Sequence, residues 1–259
     1  MSKYRISWNT KENANAYDKY ATGFSMYKNT SRDLVKISDV KPGMTIIDLA
    51  AGTGATTQEI INAVGDNVRI IAIDQAEAMV KKAQEKFKNR KNMKFIVAEA
   101  ENLCKVVKEP VDVVICNSAF WQMRIKTTFR NISDILKDDG LFAFNLPDQF
   151  FSYRYFKNKP RNPLPYNLKN LTSWAKDNKL TLIAKSVKEY SKTADEIITF
   201  SKIPVMSRNF KSAKGREDFI ANIKKHKNSK KNQWLYLVFK KTEKRKSIKK
   251  DRAKYAQSL

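Results

Sequence analysis

Two acids near the start of the chain, Asp48 and Asp74, stand at the ends of short apolar runs, and a glycine turn follows the first of them. Thr45-Ile46-Ile47-Asp48-Leu49 reads as a buried strand, and Gly52 and Gly54 then let the backbone bend before a helix starts near Thr56. Such a turn lets a ligand approach the main chain closely. The freed helix amides would invite phosphate, as in the fingerprint G-x-G-x-x-G, but its third glycine position holds Thr57. A diphosphate cofactor is therefore the weaker choice. Asp74 follows Asp48 by 26 residues, at the tip of a second strand, Arg69 to Ile73. A carboxylate placed there can accept both hydroxyls of a ribose. The plainer alternative is that it only caps the helix expected to run on to Lys88.

Thr45 to Thr57 resembles motif I of the class I S-adenosylmethionine-dependent methyltransferases, Asp-x-Gly-x-Gly-x-Gly after an apolar strand, and departs from it at Ala50, where the family usually has its first glycine. Three further segments come in the family's order. Asp74-Gln75-Ala76-Glu77-Ala78-Met79 is similar to the segment whose acid holds the ribose and whose apolar side chain lies on adenine. After a third strand, Lys94 to Ala98, Glu99-Ala100-Glu101-Asn102-Leu103 resembles the third motif, commonly Gly-Asp-Ala-Glu-x-Leu. There a carboxylate can accept the adenine amine while the Ala100 amide donates to a ring nitrogen. A fourth strand, Val111 to Cys116, ends in Asn117-Ser118-Ala119-Phe120-Trp121, where the family places a loop facing cofactor and acceptor. This loop lacks the Pro-Pro-aromatic run typical of enzymes that methylate exocyclic amines of bases, and it lacks a histidine. The resemblance, which is to small-molecule members such as the ubiquinone/menaquinone C-methyltransferases and trans-aconitate methyltransferases, implies S-adenosylmethionine as cofactor. It implies cofactor contacts from Asp48, Ala50, Gly52, Thr53, Gly54, Asp74, Gln75, Met79, Glu99, Ala100 and Asn117.

The elements that must position these residues read as one α/β domain: a Rossmann-like, seven-stranded, mainly parallel sheet with its last strand antiparallel. Residues 1–40 form an N-terminal helical cap with spaced aromatics from Trp8 to Tyr27, and residues 41–147 the cofactor core. In that core a helix spans Phe129 to Leu136, Lys137-Asp138-Asp139-Gly140 makes a turn, and Leu141 to Leu146 is the fifth strand. Residues 148–240 hold an aromatic cluster from Phe150 to Phe156, a helix over Leu168 to Asp177, a strand over Leu180 to Glu189, a helical pair from Ala194 to about Lys227, and a last strand over Gln233 to Lys240. That helical insertion is expected to close over the acceptor. Residues 241–259 are a basic tail with eight Lys or Arg against two acids, expected to be disordered. Tyr17, Phe120, Trp121, Arg124, Tyr153 and Arg154 are the candidate acceptor contacts, the aromatics for an apolar body and the arginines for an anionic group.

Charge is placed unevenly. Residues 1–150 carry 22 Lys+Arg against 18 Asp+Glu, and the remainder 29 against 8, within a net +25. A nucleic-acid contact through the basic distal half is thus the alternative to a small-molecule acceptor, and a non-catalytic binding module is a third reading. No metal site is expected, since His226 stands alone in a lysine run. Cys104 and Cys116 cannot form a disulfide framework and suggest a reducing compartment. With no signal-peptide pattern and no long apolar run, a cytoplasmic location is expected. Acceptor identity, general base and oligomeric state are open at this stage.

Overall fold

The computed structural model describes residues 8–147, 167–207, 209–226 and 230–242. These begin with two helices, α1 (Lys11–Gly23) and α2 (Ser25–Ile37). Strands and helices then alternate: β1 (Thr45–Leu49), α3 (Ala55–Val64), β2 (Arg69–Asp74), α4 (Glu77–Lys86), β3 (Met93–Val97), α5 (Leu103–Val106), β4 (Val111–Cys116), α6 (Ile125–Ile135) and β5 (Leu136–Pro147). The distal part is α7 (Leu168–Lys176), β6 (Leu180–Lys192), α8 (Ala194–Lys202), α9 (Pro204–Ser207), α10 (Ala213–His226) and β7 (Lys230–Lys241). Short 3₁₀ turns at Ala100–Asn102 and Phe120–Gln122 come after β3 and β4.

Among the described residues, seven strands join one sheet in the order β3-β2-β1-β4-β5-β7-β6. The first five pair in parallel, and β7 runs antiparallel between β5 and β6. Strand periodicity sends neighbouring side chains to opposite faces, so Ile47, Ile71, Val114 and Phe142 pack with α6 residues such as Phe129 and Ile132. Ile46, Ile70, Val113 and Ala143 pack on the other face with Leu34 and Val35 of α2 and Ile60 of α3. Burial on both faces explains why these strands are continuous apolar runs rather than alternating ones.

Several boundaries differ from those expected. Lys137 to Gly140 is not a turn between elements but a bulge inside β5: Val111 pairs with Leu136, and Val113 next with Leu141. Asp139 takes φ +65°, and Gly140 is required because a Cβ there would lie 2.8 Å from the Lys137 carbonyl. Among the described residues, the insertion between β6 and β7 holds three helices rather than two. Lys241 is the last residue of β7, its Nζ donating to the Leu136 carbonyl at 2.7 Å, and the Thr242 amide donates to the Lys179 carbonyl at 2.9 Å. The tail therefore starts after Thr242, and residues 243–259 lie outside the described ones. Among the described residues no helix is long and apolar enough to cross a membrane.

Candidate cofactor and acceptor site

The turn after β1 is held by the acid at the tip of β2. Asp74 Oδ2 accepts the Gly52 amide at 2.9 Å and Oδ1 the Ala76 amide at 2.8 Å. Asp74 thus shapes the glycine turn and starts α4 together, and its carboxylate keeps capacity to accept from a ligand hydroxyl. Burial raises its pKa, opposed by the amides of Ala76, Gly52 and Gln75. Asp48 lies deeper, 1 % exposed, with Oδ2 accepting the Thr57 hydroxyl at 2.6 Å. Burial pushes its pKa up to about 7; the Thr57 hydroxyl and amide pull against this and Asp74 adds to it. Ala50, standing where the family has glycine, adopts φ +58°.

A cavity of about 910 Å³ opens where the carboxyl ends of β1, β2 and β4 meet the helical cap. Of the residues expected to hold a cofactor, Ala50, Gly52, Asp74, Gln75, Met79, Ala100 and Asn117 border it. Asp48, Thr53 and Gly54 do not; they stand behind the wall and shape it. At Gly54, φ is +86° and a Cβ would come 2.5 Å from Cε2 of Phe87, so the packing of Phe87 against the turn requires glycine there. Glu99 is also off the lining. It precedes the 3₁₀ turn in extended conformation, and that turn brings Ala100 and Glu101 round to the cavity instead.

Among the acceptor candidates, Tyr17, Trp121 and Arg124 border the cavity. Phe120 does not: it is fully buried, its ring centroid 4.2 Å from that of Phe144 and 5.1 Å from that of Phe129. The 3₁₀ turn at Phe120–Gln122 directs Phe120 into the core and Trp121 to the cavity. Tyr153 and Arg154, with the rest of the Phe150 to Phe156 cluster, lie outside the described residues. Tyr27, Lys192, Phe200, Asn232 and Trp234, none of them among the candidate contacts read from the sequence, also border the cavity, from α2, β6, α8 and β7. No local motif marks them, because only the packing of distant segments brings them there.

The cap is tied down over the turn. Lys86 Nζ at the end of α4 reaches Asp18 Oδ1 at 2.6 Å and the Thr53 carbonyl at 2.9 Å. Tyr17 packs edge-on against Trp8 and Tyr27, with ring centroids 5.5 and 5.8 Å away. Burial is the dominant effect on both hydroxyls, raising the pKa of Tyr17 well above its usual value and that of Tyr27 to about 12.

Carboxylate oxygens at Asp74, an apolar floor of Ile73, Met79 and Ala100, and aromatic rims fit a ligand with a ribose diol, a flat base and a cationic end. An open, mainly parallel sheet carrying that site at its carboxyl ends defines a Rossmann-like methyltransferase. The chain matches the methyltransferase-domain family over residues 40–244 and belongs to it. It is 27% identical over 158 residues to malonyl-[acyl-carrier protein] O-methyltransferase 2 of Ilyobacter polytropus, covering 60% of this chain and 59% of that protein. It is 31% identical over 83 residues to the ubiquinone/menaquinone biosynthesis C-methyltransferase UbiE of Shewanella oneidensis, covering 31% and 33% of the two chains. The alignment with the first of these spans about three-fifths of that relative's length. Among solved structures, the Haemonchus contortus phosphoethanolamine N-methyltransferase 2, in complex with phosphomonomethylethanolamine and S-adenosylhomocysteine, superposes with a TM-score of 0.60 at 16% identity, over 94% of this chain and 61% of that one.

Proposed function

We propose that this methyltransferase uses S-adenosylmethionine to methylate a small molecule with an aromatic or apolar body and an anionic group. The observation that carries this reading is the make-up of the chamber beyond the cofactor motifs: Trp121, Phe200 and Trp234 supply flat apolar surface, and Arg124 and Lys192 stand on the same lining. A planar guanidinium can pair with a carboxylate or phosphate through two hydrogen bonds. When bound, S-adenosylmethionine would supply a sulfonium-bound methyl for transfer to the acceptor's lone pair, with the C–S electron pair left on sulfur. Asp74 would accept the ribose hydroxyls, Met79 and Ala100 would hold the adenine, and Tyr17 with Trp8 would exclude water. Alignment and dehydration of this kind can contribute about 7 to 11 kcal/mol. A nucleophile already ionised at neutral pH needs no general base.

Transfer of labelled methyl from S-adenosylmethionine to a panel of carboxylic acids, phenols, amines, peptides and total RNA tests the reading. Arg124→Ala should raise KM for the true acceptor and leave cofactor affinity alone. Labelling confined to RNA, or unchanged kinetics in that variant, would overturn it.

A further inference from the structure

The loop after β4 is governed by a residue that no motif singles out. Asn145 of β5 is completely buried. Its Oδ1 accepts the amide of Ser118 at 2.8 Å, and its Nδ2 donates to Asn117 Oδ1 at 2.7 Å. Asn117 Nδ2 in turn donates to Ser31 Oγ of the cap helix α2 at 2.9 Å, and Ser31 Oγ lies 3.1 Å from Thr56 Oγ1 at the start of α3. Ser118 sits at φ +59°, a conformation that side chains other than glycine adopt at a cost, so the loop needs such a hold.

The sense of this chain of bonds is set by one group. A backbone N–H can only donate, so Ser118 obliges Asn145 to present its oxygen there. Asn145 then presents its NH₂ to Asn117, and Asn117 must answer with its own oxygen. That oxygen also receives the Ser118 hydroxyl at 3.4 Å. Asn117 thus turns its oxygen toward Asn145 and its NH₂ toward Ser31, and among the described residues one N–H of Asn117, which borders the cavity, is left to donate.

We infer that Asn145 is a positioning residue that fixes Asn117 as a hydrogen-bond donor, so that the site receives its methyl acceptor through an oxygen lone pair and offers no side-chain acceptor at Asn117 to an amine nucleophile. This deepens the proposed function and rests on it. In the transfer the acceptor oxygen's lone pair forms the new O–C bond as the C–S bond breaks, and a carboxylate or phenolate acceptor has no proton to lose.

The test has a structural arm and a chemical arm. Hydrogen exchange of the Ser118 amide, measured by NMR on the full chain, should be at least about tenfold faster in Asn145→Leu than in the wild type. Asn145→Asp, assayed at a pH where the introduced carboxyl is ionised, keeps an acceptor for Ser118 but faces Asn117 with lone pairs, which turns the Asn117 amide over. In that variant kcat for carboxylic-acid or phenol acceptors should fall about tenfold or more, while the amine-to-oxygen turnover ratio rises. Unchanged Ser118 exchange in Asn145→Leu, an unchanged ratio in Asn145→Asp, or wild-type preference for amines over oxygen acceptors would each overturn the inference. Failure of the wild type to bind S-adenosylhomocysteine or to methylate any compound would instead overturn the functional reading, and the exchange result would still decide whether Asn145 holds the loop.

Discussion

At the scale of single residues, Asp48 is buried and Asp74 only partly so, and the two acids near the turn do different work. Asp74 borders the cavity and holds two backbone amides. Asp74→Ala should weaken S-adenosylmethionine binding by about 1.5 to 3 kcal/mol, the usual range for hydrogen bonds to a charged group, as read by calorimetry. Asp48, away from the cavity, is a lever on stability. Its folded pKa of about 7 lies above the unfolded carboxyl value, so the native state binds the proton more tightly. Its contribution is complete below the unfolded pKa, near pH 4, and is lost as pH rises through about 7. Denaturation of Asp48→Asn should show a flatter stability profile than the wild type across that window; an unchanged slope would remove Asp48 as its source. The acid and glycine positions were legible in the sequence because strand, turn and helix are local there. Which of Phe120 and Trp121 faces the ligand was not, since one step along a 3₁₀ turn exchanges core for cavity and composition carries no trace of that rotation.

At the scale of elements, the cap and the turn form one unit through Lys86. Its two partners, Asp18 on α1 and the Thr53 carbonyl, belong to segments that no local pattern links. Lys86→Met should accelerate hydrogen exchange over residues 11–23 and weaken cofactor binding by about 1 kcal/mol, since the pair is only partly exposed to solvent screening. If exchange in α1 is unaltered, the bridge does not hold the cap. The order of strands and helices could be anticipated from apolar periodicity. The bulge in β5 could not, because Lys137-Asp138-Asp139-Gly140 has the composition of an ordinary turn, and only its pairing with β4 shows that the strand resumes on the same line.

At the scale of the whole molecule, the helical cap and the β6–β7 insertion meet over the carboxyl ends of the parallel strands, so the chamber is built from both ends of the described chain. Truncation separates the sheet from the basic tail beyond it. Ending the chain after Thr242 should leave the melting temperature within about a degree of the full chain, whereas ending it before Lys241 removes three bonds to Leu136 and Lys179 and should cost about 1 to 3 kcal/mol. Equal losses in both truncations would show that residues beyond Thr242 contribute to the fold.

The position of β7 also has a consequence for how the protein is made. The last of the described strands to leave the ribosome must enter between two others, pairing with β5 along Leu141 to Pro147 and with β6 along Leu180 to Lys192. Until it arrives, two facing strand edges stand without partners, and Tyr236, Leu237, Val238 and Phe239 are missing from both faces of the core. The nascent chain therefore passes through a long interval in which its parallel half can form while its remaining edges are open to other chains. A chaperone that shields strand edges late in synthesis, rather than one acting on the first helices, is the one whose removal should most reduce the folded yield.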